Sequence, residues 1–138
     1  MFFDRDGTLN VEVHFLHRPE DFRWTSGAID AIRYVRSLGY LAIVLTNQSG
    51  VARGYYPESD VCVLHEWINE ELKQYGTKID AFYYCPHYAG GSVPKYAIKC
   101  KCRKPETGLV VGTPLLSSGR EAKGRFLMYA AKPLPLYC

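Results

Sequence analysis

The chain has 138 residues, 47% of them hydrophobic and 22% charged, and a formal net charge of +3. That length suffices for one domain with its own hydrophobic core, and the composition excludes a disordered or fibrous chain. No apolar run approaches the roughly 20 residues of a membrane-spanning helix. Asp4, Arg5 and Asp6 stand where a signal peptide would place its apolar stretch. A cytoplasmic protein without a membrane partner is therefore expected. After residue 110, Arg120, Lys123, Arg125 and Lys132 face only Glu121, which accounts for the whole net charge. Residues 1–110 are balanced, and a nucleic-acid partner, which would want a basic face in the folded part, is not expected.

In chain order, "MFF" before Asp4 reads as the end of a strand. "GAIDAIRYVRSLG" carries Ala28, Ile29, Ile32, Val35 and Leu38 at helical spacing and stops at Gly39. "YLAIVLT" is a continuous apolar run rich in branched residues, which fits a buried parallel strand. "PESDVCVLHEWINEELKQYG" offers Pro57 as a first helical residue, an apolar stripe of Val61, Leu64, Trp67, Ile68 and Leu72, and a stop at Gly76. Cys62 within it reads as a small buried hydrophobe. "IDAFYYC" reads as a third strand. The order β-α-β-α-β predicts an α/β fold, a Rossmann-like parallel sheet joined by right-handed crossovers with helices on both faces.

Ligands of such sheets bind at the carboxyl ends of the strands. Three polar clusters fall there: "DRDGT", "TNQSG" and "CPH…CRK". Asp4 and Asp6 lie two apart, so an extended segment turns both carboxylates to one side. Carboxylates that close need a cation or proton between them, and Mg²⁺ takes such oxygen ligands. One could then attack phosphorus while the other shuttles a proton. Thr46 offers a hydroxyl and Lys104 a positive charge, completing what phosphoryl transfer requires. The same letters also suit blander roles. D-x-D-G is a common turn, Thr46–Asn47 fits a capped loop, and Lys104 fits a solvated lysine. Cys85-x-His87 and Cys100-x-Cys102 make three sulfurs and one imidazole, a closed tetrahedral set for a structural Zn²⁺. Buried thiols are the alternative. His14 and His17 are lone loop histidines and are not read as metal ligands.

"FFDRDGTLN", "LTNQSGVARG" and "CRKP" resemble the first three motifs of the haloacid dehalogenase-like phosphatases. The resemblance covers residues 2 to about 110. It implies Asp4 as nucleophile, Asp6 as general acid/base, and Thr46 and Lys104 as stabilisers of the phosphoryl group. It implies Mg²⁺ held at Asp4 and Asp6. "DRDGTLN" with "TNQSG" is similar to the branch that contains histidinol-phosphate and heptose-bisphosphate phosphatases. Twelve residues separate His87 from Cys100, and this long loop resembles the heptose-bisphosphate members. The implied reaction is removal of the 7-phosphate of D-glycero-D-manno-heptose 1,7-bisphosphate by a monomeric enzyme of glycan synthesis. Substrate contacts are implied for Arg5, for Glu12, Val13, His14 and Phe15, for Asn47, Gln48 and Ser49, and for Arg103. Arg53 reads instead as a loop-bracing arginine.

The superfamily's fourth motif, an acidic "GD" cluster that completes the Mg²⁺ site, has no counterpart in residues 111–138, where Glu121 is the sole acid. Pro114, Pro133 and Pro135 interrupt any helical stripe there. A domain over 1–110 with a frame-shifted or truncated tail over 111–138 is expected, and the sheet should be incomplete at its C-terminal side. Mg²⁺ would then rest on Asp4 and the backbone carbonyl of Asp6, with weak affinity and low activity. A phospholigand-binding domain without turnover is the competing expectation from another class.

Overall fold

The computed structural model describes residues 1–111. The tail reading lies outside the described residues. Strand β1 is Phe2–Phe3, β2 is Ile43–Asn47 and β3 is Ala81–Cys85; helix α1 is Ala28–Ser37, α2 is Glu58–Lys73 and α3 is Gly108–Val111. The strands pair in the order β1-β2-β3, both pairs parallel, with Phe3 opposite Val44 and Val44 opposite Phe82. A 3-10 turn, Pro19–Asp21, interrupts the long excursion between β1 and α1. Among the described residues no helix is long and apolar enough to cross a membrane.

The apolar stripes go where their spacing directs them, with local shifts. In α1, Ala28, Ile32 and Val35 are buried, while Leu38, expected on the same stripe, ends the helix and is half exposed. In α2, Val61, Leu64, Ile68 and Leu72 are buried, and Trp67 is partly so. Pro57 sits one position before the helix, as its cap. Each fully buried aliphatic side chain contributes about 1.5–3 kcal/mol.

The expected layers are present, with α1 and α2 together in one of them. Ala28 and Ile32 of α1 and Leu64, Ile68 and Leu72 of α2 share one core cluster with Val44. Both helices therefore cover the same face. The cause is topological: two right-handed crossovers stepping in the same direction across a sheet must lie on the same side. The opposite face, marked by Ile43 and Leu45, is covered by Cys102, Leu109 and the partly buried Cys100. The cysteine-rich loop and α3 thus form the third layer.

That loop is docked as well as folded. Val93 N–H donates to the Ala52 carbonyl at 3.0 Å, and the Ser92 hydroxyl donates to the Arg53 carbonyl at 2.8 Å. A Cβ at Gly91 would lie 2.3 Å from the Ala52 carbonyl oxygen. Glycine at this point of "GGSV" is what lets the two backbones meet.

Candidate active site

The three polar clusters meet at the carboxyl ends of the strands. Asp4, Asp6, Glu12, Val13, His14, Phe15, Thr46, Asn47, Gln48, Ser49 and Lys104 line one cavity of about 310 Å³, joined by Leu16 and Tyr56. Lys104 lies a hundred positions beyond Asp4, yet its Nζ is 2.5 Å from Asp4 Oδ2. The same ammonium donates to the Leu45 carbonyl at 3.0 Å. Asp4 Oδ1 accepts the Arg5 N–H at 2.8 Å. The Asp4 side chain is 45% exposed, so its carboxylate faces the cavity and water.

Asp6 is held quite differently. Its carboxylate accepts from Arg5 Nε at 3.1 Å and Nη2 at 3.0 Å, from Asn10 Nδ2 at 3.3 Å, from the Thr46 hydroxyl at 3.4 Å and from Gln48 Nε2 at 3.0 Å. Gln48 Nε2 also donates to the Thr46 hydroxyl, and the Tyr56 hydroxyl donates to Gln48 Oε1 at 2.8 Å. Burial, foremost, pushes the Tyr56 phenol up to about 12, so it remains a donor. Two aspartates two residues apart therefore differ in kind: one is open and paired with a lysine, the other is fixed by a ring of donors.

Arg5 requires a correction. Its side chain is fully buried and lines no part of the cavity. The guanidinium is spent on Asp6, on the Leu16 carbonyl at 2.9 Å, and on His65 Nε2 at 3.4 Å. A planar fork suits this, since it can serve an anion, a carbonyl and a ring nitrogen at once. Its side chain supports the site from behind and reaches no substrate. His65, foremost through burial and then through the Arg5 charge, is held well below the ordinary histidine range and stays neutral, which lets its ring accept. Arg103 also stays off the cavity lining: it donates to the His87 carbonyl at 3.3 Å and lies 5.4 Å over the Tyr88 ring. Arg53 packs over Tyr88 from 4.2 Å, bracing the loops.

Phe15 adopts φ of 56° at the cavity wall. An aromatic residue there stores about 1 kcal/mol of backbone strain, which the surrounding contacts must hold. His14 stacks edge-on against Phe15 at 5.5 Å, and His17 stacks flat on Tyr56 at 4.5 Å, so both act as packing groups. Asn10, Tyr56 and His65 were not singled out from sequence. Asn10 ends the "DRDGTLN" motif, which was signal enough; Tyr56 and His65 carry no local mark.

Cys85, His87, Cys100 and Cys102 bring one ligand atom each within 4.8 Å of all the others. The sulfurs of Cys102 and Cys85, and of Cys102 and Cys100, are 3.2 Å apart, and His87 Nδ1 is 3.3 Å from Cys102 Sγ. Ligands about 2.3 Å from a tetrahedral Zn²⁺ stand somewhat under 4 Å from one another, so the donor set suits that ion in kind and in spacing. Hydrogen bonding from Cys85, foremost, draws the Cys102 thiol down to about 5, and the same contact raises Cys85. The cluster thus favours a thiolate, the form that ligates metal. Asp4 suits Mg²⁺ through its open carboxylate. The Asp6 carboxylate is already engaged by Arg5, Asn10, Thr46 and Gln48, so a second oxygen for Mg²⁺ would have to come from elsewhere, such as the Asp6 backbone carbonyl.

The family model of polynucleotide kinase 3 phosphatase matches residues 1–114. The chain belongs to this family. It is 46% identical over 109 residues to the D-glycero-alpha-D-manno-heptose-1,7-bisphosphate 7-phosphatase of Photorhabdus laumondii, covering 79% of this chain and 60% of that protein. It is 40% identical over 111 residues to the D-glycero-beta-D-manno-heptose-1,7-bisphosphate 7-phosphatase of Escherichia coli K12, covering 80% and 58%. The crystal structure of D,D-heptose 1,7-bisphosphate phosphatase from B. bronchiseptica, complexed with magnesium and phosphate, superposes with a TM-score of 0.73 at 28% identity, covering 86% of this chain and 63% of that one. The fold is thus of the haloacid dehalogenase type. The chain spans about 60% of the length of the curated relatives it matches.

Proposed function

We propose that this chain carries the nucleophile half of a Mg²⁺-dependent phosphatase acting on the 7-phosphate of D-glycero-D-manno-heptose 1,7-bisphosphate. The reading rests on one observation above all, the 2.5 Å contact of Lys104 Nζ with Asp4 Oδ2 inside a cavity that also holds Asp6 and Thr46. An open carboxylate beside a fixed ammonium is poised to attack an electron-poor centre, and the names of the curated relatives supply the substrate class.

In this scheme an Asp4 oxygen forms a bond to phosphorus as the sugar oxygen–phosphorus bond breaks. For this step one of the donors to Asp6 gives way, so that the carboxyl can take up a proton and pass it to the departing sugar oxygen. Asp6 then takes a proton from water, whose oxygen attacks phosphorus and releases Asp4 and inorganic phosphate. Lys104 and the Thr46 hydroxyl stabilise the charge on the phosphoryl oxygens. Mg²⁺, held by Asp4 and the Asp6 carbonyl, would supply further positive charge there. Glu12 to Phe15, with Asn47, Gln48 and Ser49, shape the cavity for the sugar. Arg103, engaged with the His87 carbonyl and the Tyr88 ring, braces the loop beside Lys104. Zn²⁺ on Cys85, His87, Cys100 and Cys102 is structural, since four protein ligands leave no open position.

With Asp4 and the Asp6 carbonyl as its two protein oxygens, Mg²⁺ would be held weakly, and low turnover belongs to this reading. The ring of donors that holds the Asp6 carboxylate favours a second reading, binding of a phosphorylated ligand without turnover. Phosphate release from heptose 1,7-bisphosphate and from histidinol phosphate, with Mg²⁺, separates the cases. Slow Mg²⁺-dependent release from the heptose alone, abolished by Asp4→Asn, supports the first. Binding of the heptose without release supports the second. Release from histidinol phosphate alone, or neither release nor binding of the heptose, sinks both.

A further inference from the structure

Asn47 is the last residue of β2 and lines the cavity, which on its face suggests a substrate contact. Its side chain is otherwise engaged. Nδ2 donates to the Lys104 carbonyl at 3.2 Å, and Oδ1 accepts the Lys104 N–H at 3.0 Å. One carboxamide thereby satisfies the donor and the acceptor of a single residue, as a neighbouring strand would. Lys104 stands outside any strand or helix, in a turn closed by Glu106 N–H on the Arg103 carbonyl at 2.9 Å. Nothing regular fixes its backbone from that side.

Two residues upstream, Cys102 belongs to the sulfur cluster, and Gly108 N–H donates to the Lys101 carbonyl at 2.8 Å. On the opposite side the contact is Asn47. The lysine then runs back along β2, its Nζ reaching the carbonyl of Leu45, two residues before Asn47. Backbone and tip are thus anchored to the same strand, and the tip is delivered to Asp4 at 2.5 Å. A flexible four-carbon stem points reliably only when its root is held.

We propose that Asn47 is the positioning residue for Lys104. Its carboxamide latches the cysteine-rich loop to the end of β2 and so aims the ammonium at Asp4 and at a bound phosphoryl group. The role rests on the phosphatase reading, since it gives the latch a purpose. It differs from a direct substrate contact in a measurable way. If Asn47 acts only through Lys104, its removal matters only while Lys104 is present.

The test uses the full chain in its metal-loaded form, with inorganic phosphate and Mg²⁺ as the probe in calorimetric titrations. Four proteins are compared: wild type, Asn47→Ala, Lys104→Ala and the double variant. Asn47→Ala is expected to weaken phosphate binding about tenfold, the scale of two ordinary hydrogen bonds partly replaced by water. The double variant is expected to bind no more weakly than Lys104→Ala alone. Bound zinc should stay unchanged, while the Lys104 amide should lose hydrogen-exchange protection in Asn47→Ala. Losses that add in the double variant overturn the proposal, because Asn47 would then act on phosphate itself. Wild-type phosphate affinity in Asn47→Ala overturns it too. A wild type that binds no phosphate overturns the phosphatase reading separately; the latch then stands or falls on the Lys104 amide, and equal exchange in both proteins overturns it.

Discussion

Replacing Asp6 by alanine should destabilise the protein, which is not what removing one of two neighbouring active-site carboxylates ordinarily does. Crowded like charges usually cost stability, and deleting one tends to stabilise. Here the deletion strands Arg5. Its guanidinium is fully buried and has Asp6 as its anion; without it, Nη2 keeps the Leu16 carbonyl and Nη1 keeps His65. Removing one partner of a buried ion pair costs about 3–5 kcal/mol. Relief of repulsion with Asp4, which Lys104 already neutralises, returns about 1 kcal/mol at most. A net loss of about 2–4 kcal/mol remains. Arg5→Met should cost less, about 1–2 kcal/mol. Asp6 is 22% exposed and keeps Asn10, Thr46 and Gln48 as donors, so its charge can meet water, while the Leu16 carbonyl and His65 Nε2 each lose the Arg5 contact. Asp4→Ala, at an exposed pair, should cost no more than about 1 kcal/mol. Urea unfolding followed by the fluorescence of Trp24 and Trp67, at fixed zinc, ranks the three. With a slope of about 1–1.5 kcal/mol per molar urea, Asp6→Ala should lower the midpoint by about 2 M. An Asp6→Ala midpoint at or above wild type would refute the claim that Arg5 depends on Asp6 for its charge balance.

Further outcomes follow from the same contacts. Because His65 is held below its ordinary range when folded, the unfolded chain binds the extra proton; the stability this protects is present above about pH 6.5 and is lost as pH falls below it. His65→Gln should remove that component, flattening the acid limb of a stability–pH curve by up to about 1.4 kcal/mol per pH unit relative to wild type. Cys102→Ser should abolish stoichiometric zinc in metal analysis and lower the melting temperature, because the cysteine-rich loop covers one face of the sheet through Cys102. Gly91→Ala should cost about 1–3 kcal/mol in thermal unfolding, since its Cβ would meet backbone, the Ala52 carbonyl oxygen at 2.3 Å, which has no rotamer to yield.

What could be read from the letters and what could not divides along a physical line. Periodic burial is local, so the stripes of α1 and α2 and the run in β2 are legible: Ile32, Leu64, Ile68 and Val44 are all fully buried. Convergence of Asp4 and Thr46 follows from strand polarity, because parallel strands present their carboxyl ends together; Lys104, well beyond the end of β3, is brought to them by the cysteine-rich loop and its contacts with Asn47 and Leu45. Two things were not legible. The face each helix takes depends on strand order, which no single segment encodes. The direction of a side chain within a motif depends on its neighbours in space: Arg5, flanked by two exposed-looking aspartates, turns inward because Leu16, His65 and Asp6 offer it three acceptors. The second of these, which polar group meets which, sets the character of the site. Asp4 stands open because, among the described residues, Lys104 is the ion-pair partner of its outer oxygen, and Asp6 is fixed because a buried arginine, an asparagine, a threonine and a glutamine all claim it. The motif supplies two carboxylates; the residues around them leave one open to the cavity and hold the other rigid in place.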